Sequence, residues 1–251
     1  MRFTLGIACI AIWAGFARVR LWPSKREWRG LVLLSLLFYL QISLMNFGYS
    51  LTSGQVASVL TSTYPMFAAL CAHLMLQDDR LTVAKSTGLS IAFLGIGLIL
   101  TRDIDFASKT WLGLGAMVVL LNAAMLGFRM IYSAQLLRNI DPVRVMSWQM
   151  ILSLPAFAVS GMMFETINWQ NLAWPPLLGL AYQGIVIAGF GFMINAELMK
   201  RYRPSLMTSF GFVAPVSGVL LSLWLLSESL SWQVAVGTVT VAIGLFVVAR
   251  K

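Results

Sequence analysis

The chain has 251 residues, of which 59% are hydrophobic and 11% charged, and its net charge is +9. A soluble domain carries about 25% charged residues, so this chain lacks the polar surface to face water on all sides, and a water-soluble enzyme is excluded. The basic residues lie in short connections between apolar runs, which ties the positive charge to membrane topology and leaves no call for a nucleic-acid partner.

A membrane span needs about 20 apolar residues. Nine segments qualify: residues 3–19, 30–48, 54–77, 84–101, 111–137, 143–164, 175–197, 205–226 and 232–249. The expected fold is therefore an all-α polytopic membrane protein with about nine transmembrane helices. The first segment has its cationic flank after it and no cleavage site before a polar chain, so it reads as a retained span and not a signal peptide. Cys9 and Cys71 stand alone in apolar stretches and indicate neither a disulfide nor a metal site.

Lysine and arginine set the topology. One set of alternate loops holds 14 of them, among them Arg18, Arg80, Arg138, Lys200 and Arg250; the other set holds 3, Arg2, Arg102 and Lys109. The richer set belongs in the cytoplasm, which places the N-terminus outside and the C-terminus inside.

The sequence also repeats itself. At an offset of 149 residues, Asp79 falls on Glu228, Leu81 on Leu230, Thr82 on Ser231, Gly88 on Gly237 and Gly95 on Gly244, while Pro65 and Pro215 align one residue further on. Each copy reads as a proline-containing apolar helix, a short polar turn with an acid, and a second apolar helix with glycines seven apart. By the charge count the two turns lie on opposite sides of the membrane, so the two copies are expected to be inverted, an arrangement that supports alternating access to a site between them. The first copy, residues 1–101, holds four spans and the second, residues 111–251, holds five.

Several stretches resemble the EamA-type permeases of the drug/metabolite transporter (DMT) superfamily: Met1-Arg2-Phe3-Thr4-Leu5, Ser58 to Thr82, Leu178 to Arg201, and Ser205 to Gly244. The resemblance implies ten helices in two inverted five-helix repeats and a secondary carrier that exports small metabolites such as amino acids. The chain departs from it in two places. The family's first helix is absent, its place falling before Met1, and Ser227-Glu228-Ser229 stands where the family more often has Gly-Glu-Arg. The resemblance also implies a bacterial inner membrane as the address and leaves coupling to protons or another ion open.

Polar side chains inside apolar spans need a partner or water, and they are the candidates for contact with a solute. The candidate substrate-binding residues are Gln41 and Asn46 in the second span, Ser58, Thr61, Ser62 and Tyr64 in the third, Asn122 in the fifth, Gln183 in the seventh and Ser209 in the eighth; Tyr49, Arg129, Gln149 and Ser217 share their setting. Ser58, Thr61, Ser62 and Pro65 fall on one helical stripe. Their hydroxyls either face an amphipathic solute or bond back to their own helix. Arg129 sits about eight residues from its span end and either pairs with a carboxylate or snorkels. Glu197 is expected to pair with Lys200 or Arg201 at the helix surface. Pro65 and Pro215 each remove a backbone donor and are expected to kink their helices beside the solute path. Asp79 and Glu228 read as structural turn acids, and the spaced glycines as helix-packing positions.

No P-loop is present, no nucleophile and base stand at useful spacing, and a single histidine, His73, cannot supply a two-histidine metal motif. The sequence therefore points to a carrier that is not an enzyme, with no cofactor and no metal, whose partners are a small-molecule substrate and the bilayer. The alternative is a truncated or non-transporting helical membrane protein.

Overall fold

The computed structural model describes residues 2–17, 21–76, 82–103, 112–164, 174–202, 213–226 and 229–249. Among these residues the backbone is α-helical, with one π-helical segment and no strand. Helix is the form such apolar runs take in lipid, because it satisfies every backbone N–H and C=O within the segment itself. In chain order the elements are α1 (Arg2–Ala17), α2 (Glu27–Ser50), α3 (Gly54–Thr61), α4 (Tyr64–Met75), α5 (Val83–Asp103), α6 (Leu112–Leu137), α7 (Pro142–Phe164), α8 (Trp174–Ala181), the π segment (Tyr182–Gly191), α9 (Phe192–Arg201), α10 (Val213–Leu226) and α11 (Trp232–Ala249). Four stretches are long and apolar enough to cross a membrane, Glu27–Ser50, Gly113–Leu137, Pro142–Met163 and Leu177–Arg201, and the shorter helices are apolar as well.

Two expected spans are not single helices. The third breaks at Ser62–Thr63, where Thr63 N–H turns back to Leu60 O and Met66 N–H to Thr63 O. Pro65 then falls in the first turn of α4. A first-turn N–H has no intrahelical acceptor, so the proline begins a helix there and does not kink one, which corrects the expectation. Pro215 likewise stands in the first described turn of α10. Among the described residues, Pro155 of α7 lies inside a helix. The seventh span is divided by the π segment, at whose end Phe192 N–H donates to Ile187 O, five residues back.

The helix starts are built from short polar side chains. Ser53 accepts from Val56 N–H, Thr82 from Lys85 N–H at 3.3 Å, Asp141 from Val143 N–H at 2.9 Å and Ser231 from Val234 N–H at 3.4 Å. Each satisfies a donor that the first helical turn leaves open. Thr82 and Ser231, which fall together at the 149-residue offset, thus hold the same structural role.

The residues group into two compact units. The first joins Met1–Tyr39 with Tyr132–Tyr202, and the second joins Leu40–Ile131 with Arg203–Lys251. Each therefore draws on both halves of the sequence. The first unit has an aromatic centre: Phe3 lies 5.0 Å from Phe38 and from Phe157, and Phe192 lies 6.0 Å from Phe38. At another point Trp148 packs edge-on against Trp22 and Trp28, donates its indole N–H to Leu21 O at 2.8 Å, and lies on the same helix as Arg144, which pairs with Glu27 at 3.0 Å.

The second unit is cored by aliphatic residues from α3, α5, α6, α10 and α11, including Val59, Leu60, Ile96, Val119, Val241 and Leu245. Its tightest seam joins α5 and α11. A Cβ placed on Gly88 would lie 2.7 Å from Gly244 O and 2.7 Å from Val248 N, and one on Gly95 would lie 2.8 Å from Gly237 O. The order of these contacts makes the two helices antiparallel. The approach is of backbone to backbone, so no side-chain movement relieves an added methyl group. Gly97 has open space around it.

Gly95→Val is expected to lower the free energy of unfolding by about 2 kcal/mol or more, an overpacking cost, whereas Gly97→Ala is neutral or stabilising by up to about 1 kcal/mol. Reversible unfolding in mixed micelles, followed by tryptophan fluorescence, measures both.

Candidate functional site

The second unit holds a hydrogen bond deep inside apolar helices. Gln41 is the fifteenth of the 24 residues of α2 and Asn122 the eleventh of the 26 of α6. At 1.5 Å per residue each lies at least about 13 Å from either end of its helix, which is near the middle of a span. Gln41 is 2% exposed and Asn122 is fully buried, and the Gln41 Nε2 amide donates to Asn122 Oδ1 at 2.7 Å. Gln41 Oε1 and Asn122 Nδ2 are also buried and have no partner. The pair thus offers one acceptor and one donor side by side at the centre of the helices. A carboxamide costs about 1–3 kcal/mol when its buried groups stay unpaired, so these two positions are expensive to leave as they are.

The local sequence explains how the pair forms. On one side of it, toward the C-terminal end of α2 and the N-terminal end of α6, the backbones approach closely through glycines: a Cβ on Gly48 would lie 2.8 Å from the Val119 side chain, and one on Gly115 would lie 2.5 Å from Leu51 O, just past α2. Small residues bring the backbones near enough for two short amides to reach each other. Arg129 follows Asn122 by two turns and so shares its face of α6, with its Nε buried. That buried Nε disagrees with a fully snorkelled side chain.

A second polar link joins α2 to α3, where Tyr49 Oη and Thr61 Oγ1 are 2.8 Å apart. It lies eight residues from Gln41, or about 12 Å further along α2. The close approach of α4 to α6 at Gly127, where a Cβ would meet Ala68 N at 2.6 Å and Tyr64 O at 2.8 Å, places the broken span against α6. Tyr64 is half-buried there.

The remaining candidates have other settings. Ser58 donates to Gln55 O at 2.9 Å and Ser62 to Ser58 O at 2.6 Å, so both hydroxyls bond within their own helix. The Ser58 side chain packs under Gly218 of α10, which a Cβ would bring within 2.5 Å. Asn46 is exposed on α2. Gln183 belongs to the first unit and is exposed on the π segment. Ser209, Asp79 and Glu228 lie outside the described residues. Two fully buried polar residues escaped the sequence reading: Gln55, whose Nε2 donates to Ser229 O at 3.3 Å, and Thr63, whose hydroxyl donates to Leu60 O at 2.6 Å. Both stand at helix ends, where polar residues draw no notice.

The profile of the EamA-like transporter family matches residues 1–101 and 113–250. The chain is similar to the uncharacterized transporter YoaV of Bacillus subtilis, with 20% identity over 98% of this chain and 84% of that one. It is similar also to an uncharacterized transporter of Archaeoglobus fulgidus, with 25% identity over 82% of this chain and 72% of the relative. A solved crystal structure superposes with a TM-score of 0.74 at 21% identity, covering 99% of this chain and 86% of that one, and this likeness concerns the fold.

Asn122→Ala leaves the whole Gln41 carboxamide buried and unpaired and is expected to destabilise by about 1–2 kcal/mol. Replacing both residues by leucine removes the polar groups together and should return stability to within about 0.5 kcal/mol of the parent. Unfolding titrations of Asn122→Ala and the double leucine variant check this.

Proposed function

The chain belongs to the EamA-like transporter family, and from that premise we propose that it is a secondary carrier that exports small metabolites such as amino acids by alternating access. The observation that carries this reading is the Gln41–Asn122 pair, because a donor and an acceptor left open in the middle of apolar helices is what a membrane protein keeps when a polar solute must be held there. Arg129 lies two turns further along the same face of α6. An amino acid presents an ammonium group and a carboxylate, which match the open Gln41 Oε1 acceptor and the open Asn122 Nδ2 donor. Tyr49 lies on α2 itself, Thr61, which it meets, on α3, and Tyr64 on α4, which meets α6, and the break at Ser62–Thr63 gives that wall a place to bend.

Two inverted repeats, residues 1–101 and 111–251, are the architecture of this carrier as we read it, with the N-terminus outside, the C-terminus cytoplasmic and the bacterial inner membrane as the address. The shared capping role of Thr82 and Ser231 and the matched glycine contacts of α5 and α11 support the duplication. Coupling to a proton or another ion belongs to the same reading.

Purified residues 1–251 in proteoliposomes are expected to move at least one of a panel of radiolabelled amino acids down an imposed gradient. The Gln41→Leu/Asn122→Leu double variant should retain its fold and lose about tenfold or more of that flux, the loss that follows from removing a charge-assisted hydrogen bond. Unchanged flux in a folded double variant would remove this pair from the site, and no flux of any amino acid from a folded parent would reject the substrate class.

A further inference from the structure

The first unit contains a groove of about 740 Å³ that the solute site does not involve. It is lined by α1, the start of α7, the end of the π segment and α9. Along most of its length the walls are apolar, and they stay uncovered: Ile12 is 62% exposed, Trp13 50% and Phe190 52%. The other end is charged. Asp141, Glu197 and Arg201 line it. Asp141 is held in place by its cap on α7, where Oδ1 accepts Val143 N–H at 2.9 Å, and Arg201 reaches back to Glu197 at 2.7 Å.

We propose that this groove binds one phospholipid with a primary-amine headgroup, of the phosphatidylethanolamine class. The observations behind this are the shape and the charge order. An acyl chain matches the apolar trough beside the exposed Ile12, Trp13 and Phe190. Among the lining residues the headgroup then lies against two carboxylates and one guanidinium, one negative charge in surplus. A phosphate pairs with Arg201, and the adjoining ammonium meets Asp141 and Glu197. The surplus works against phosphatidylglycerol, whose headgroup brings a negative charge and no positive one. Phosphatidylcholine carries the balancing charge, but its quaternary ammonium has no N–H to donate to a carboxylate. A bundle helix packed in the trough would bury the apolar walls and leave the three charged groups without a complement.

The test is native mass spectrometry of the full chain with equimolar phosphatidylethanolamine, phosphatidylcholine and phosphatidylglycerol of identical acyl chains. One phosphatidylethanolamine should be retained with about tenfold preference over the other two, the factor expected of one charge-assisted hydrogen bond. Asp141→Asn keeps a capping side chain while removing the charge, and combined with Glu197→Gln it should bring the three lipids level. Bromine-labelled phosphatidylethanolamine should also quench part of the tryptophan fluorescence of the parent, and that part should vanish in Trp13→Phe. Equal retention of the three lipids, a preference for phosphatidylglycerol, or an unaltered preference in the double variant would overturn the proposal. So would a second copy or another protein covering Trp13 with no lipid bound. Where the double variant fails to fold, the quenching by labelled phosphatidylethanolamine against labelled phosphatidylcholine in the parent decides.

Discussion

The second unit depends on the line where α5 and α11 meet without side chains between them. In lipid the hydrophobic effect does little to press one apolar helix on another, so association rests on close packing. Four glycines supply it. Gly88 meets Gly244 and Gly95 meets Gly237. Exchanging every glycine for its counterpart 149 residues away turns one of these contacts into the other, which is the self-complementary relation that a unit packing on its own copy produces. The aliphatic residues around the seam, Ala92, Ile96, Ile99, Val241 and Leu245, are buried because these backbones come so near.

Much of this was visible in the residues. Apolar length located the helices, since a backbone that has no water to bond with leaves few other options. Glycines seven apart foretold a packing face, because that spacing is close to two full turns. The Glu197–Arg201 pair followed from a separation of four. What escaped depends on contacts across the fold. The apolar run from residue 54 to 77 is continuous, so nothing in its composition marked the break at Ser62–Thr63. Pro155 went unremarked because it has no counterpart in the other half, although it lies inside a helix. Gln41 and Asn122 could each be picked out as polar residues in a span, but their hydrogen bond crosses 81 residues of chain and becomes apparent only with α2 and α6 side by side.

Polarity is buried in both units. In the second it is turned inward, with amides and hydroxyls linking α2 to α6 and to α3. In the first it includes the buried Gln149 and Ser153 of α7 and is found at helix ends too: Arg144 closes on Glu27, which also accepts the N–H of Ser24 at 2.7 Å and so fixes the start of α2. One carboxylate thereby joins a helix cap and a cross-helix ion pair. The tryptophans of the first unit differ in setting. Trp148 is enclosed by Trp22 and Trp28, whereas Trp13 stays open beside the groove.

The π segment between α8 and α9 sets a rotation. Ten residues wound with hydrogen bonds to the fifth residue back complete about half a turn less than ten residues of α-helix. α9 is therefore turned through about 180° from the phase that α8 would project. The sides of α9 are apportioned accordingly: Met193, Ala196 and Met199 are buried, and Ile194 and Lys200 look outward. An α-helical projection carried through from Trp174 would interchange these sides. The azimuth of Glu197 and Arg201 is thus determined by the winding of residues that touch neither of them.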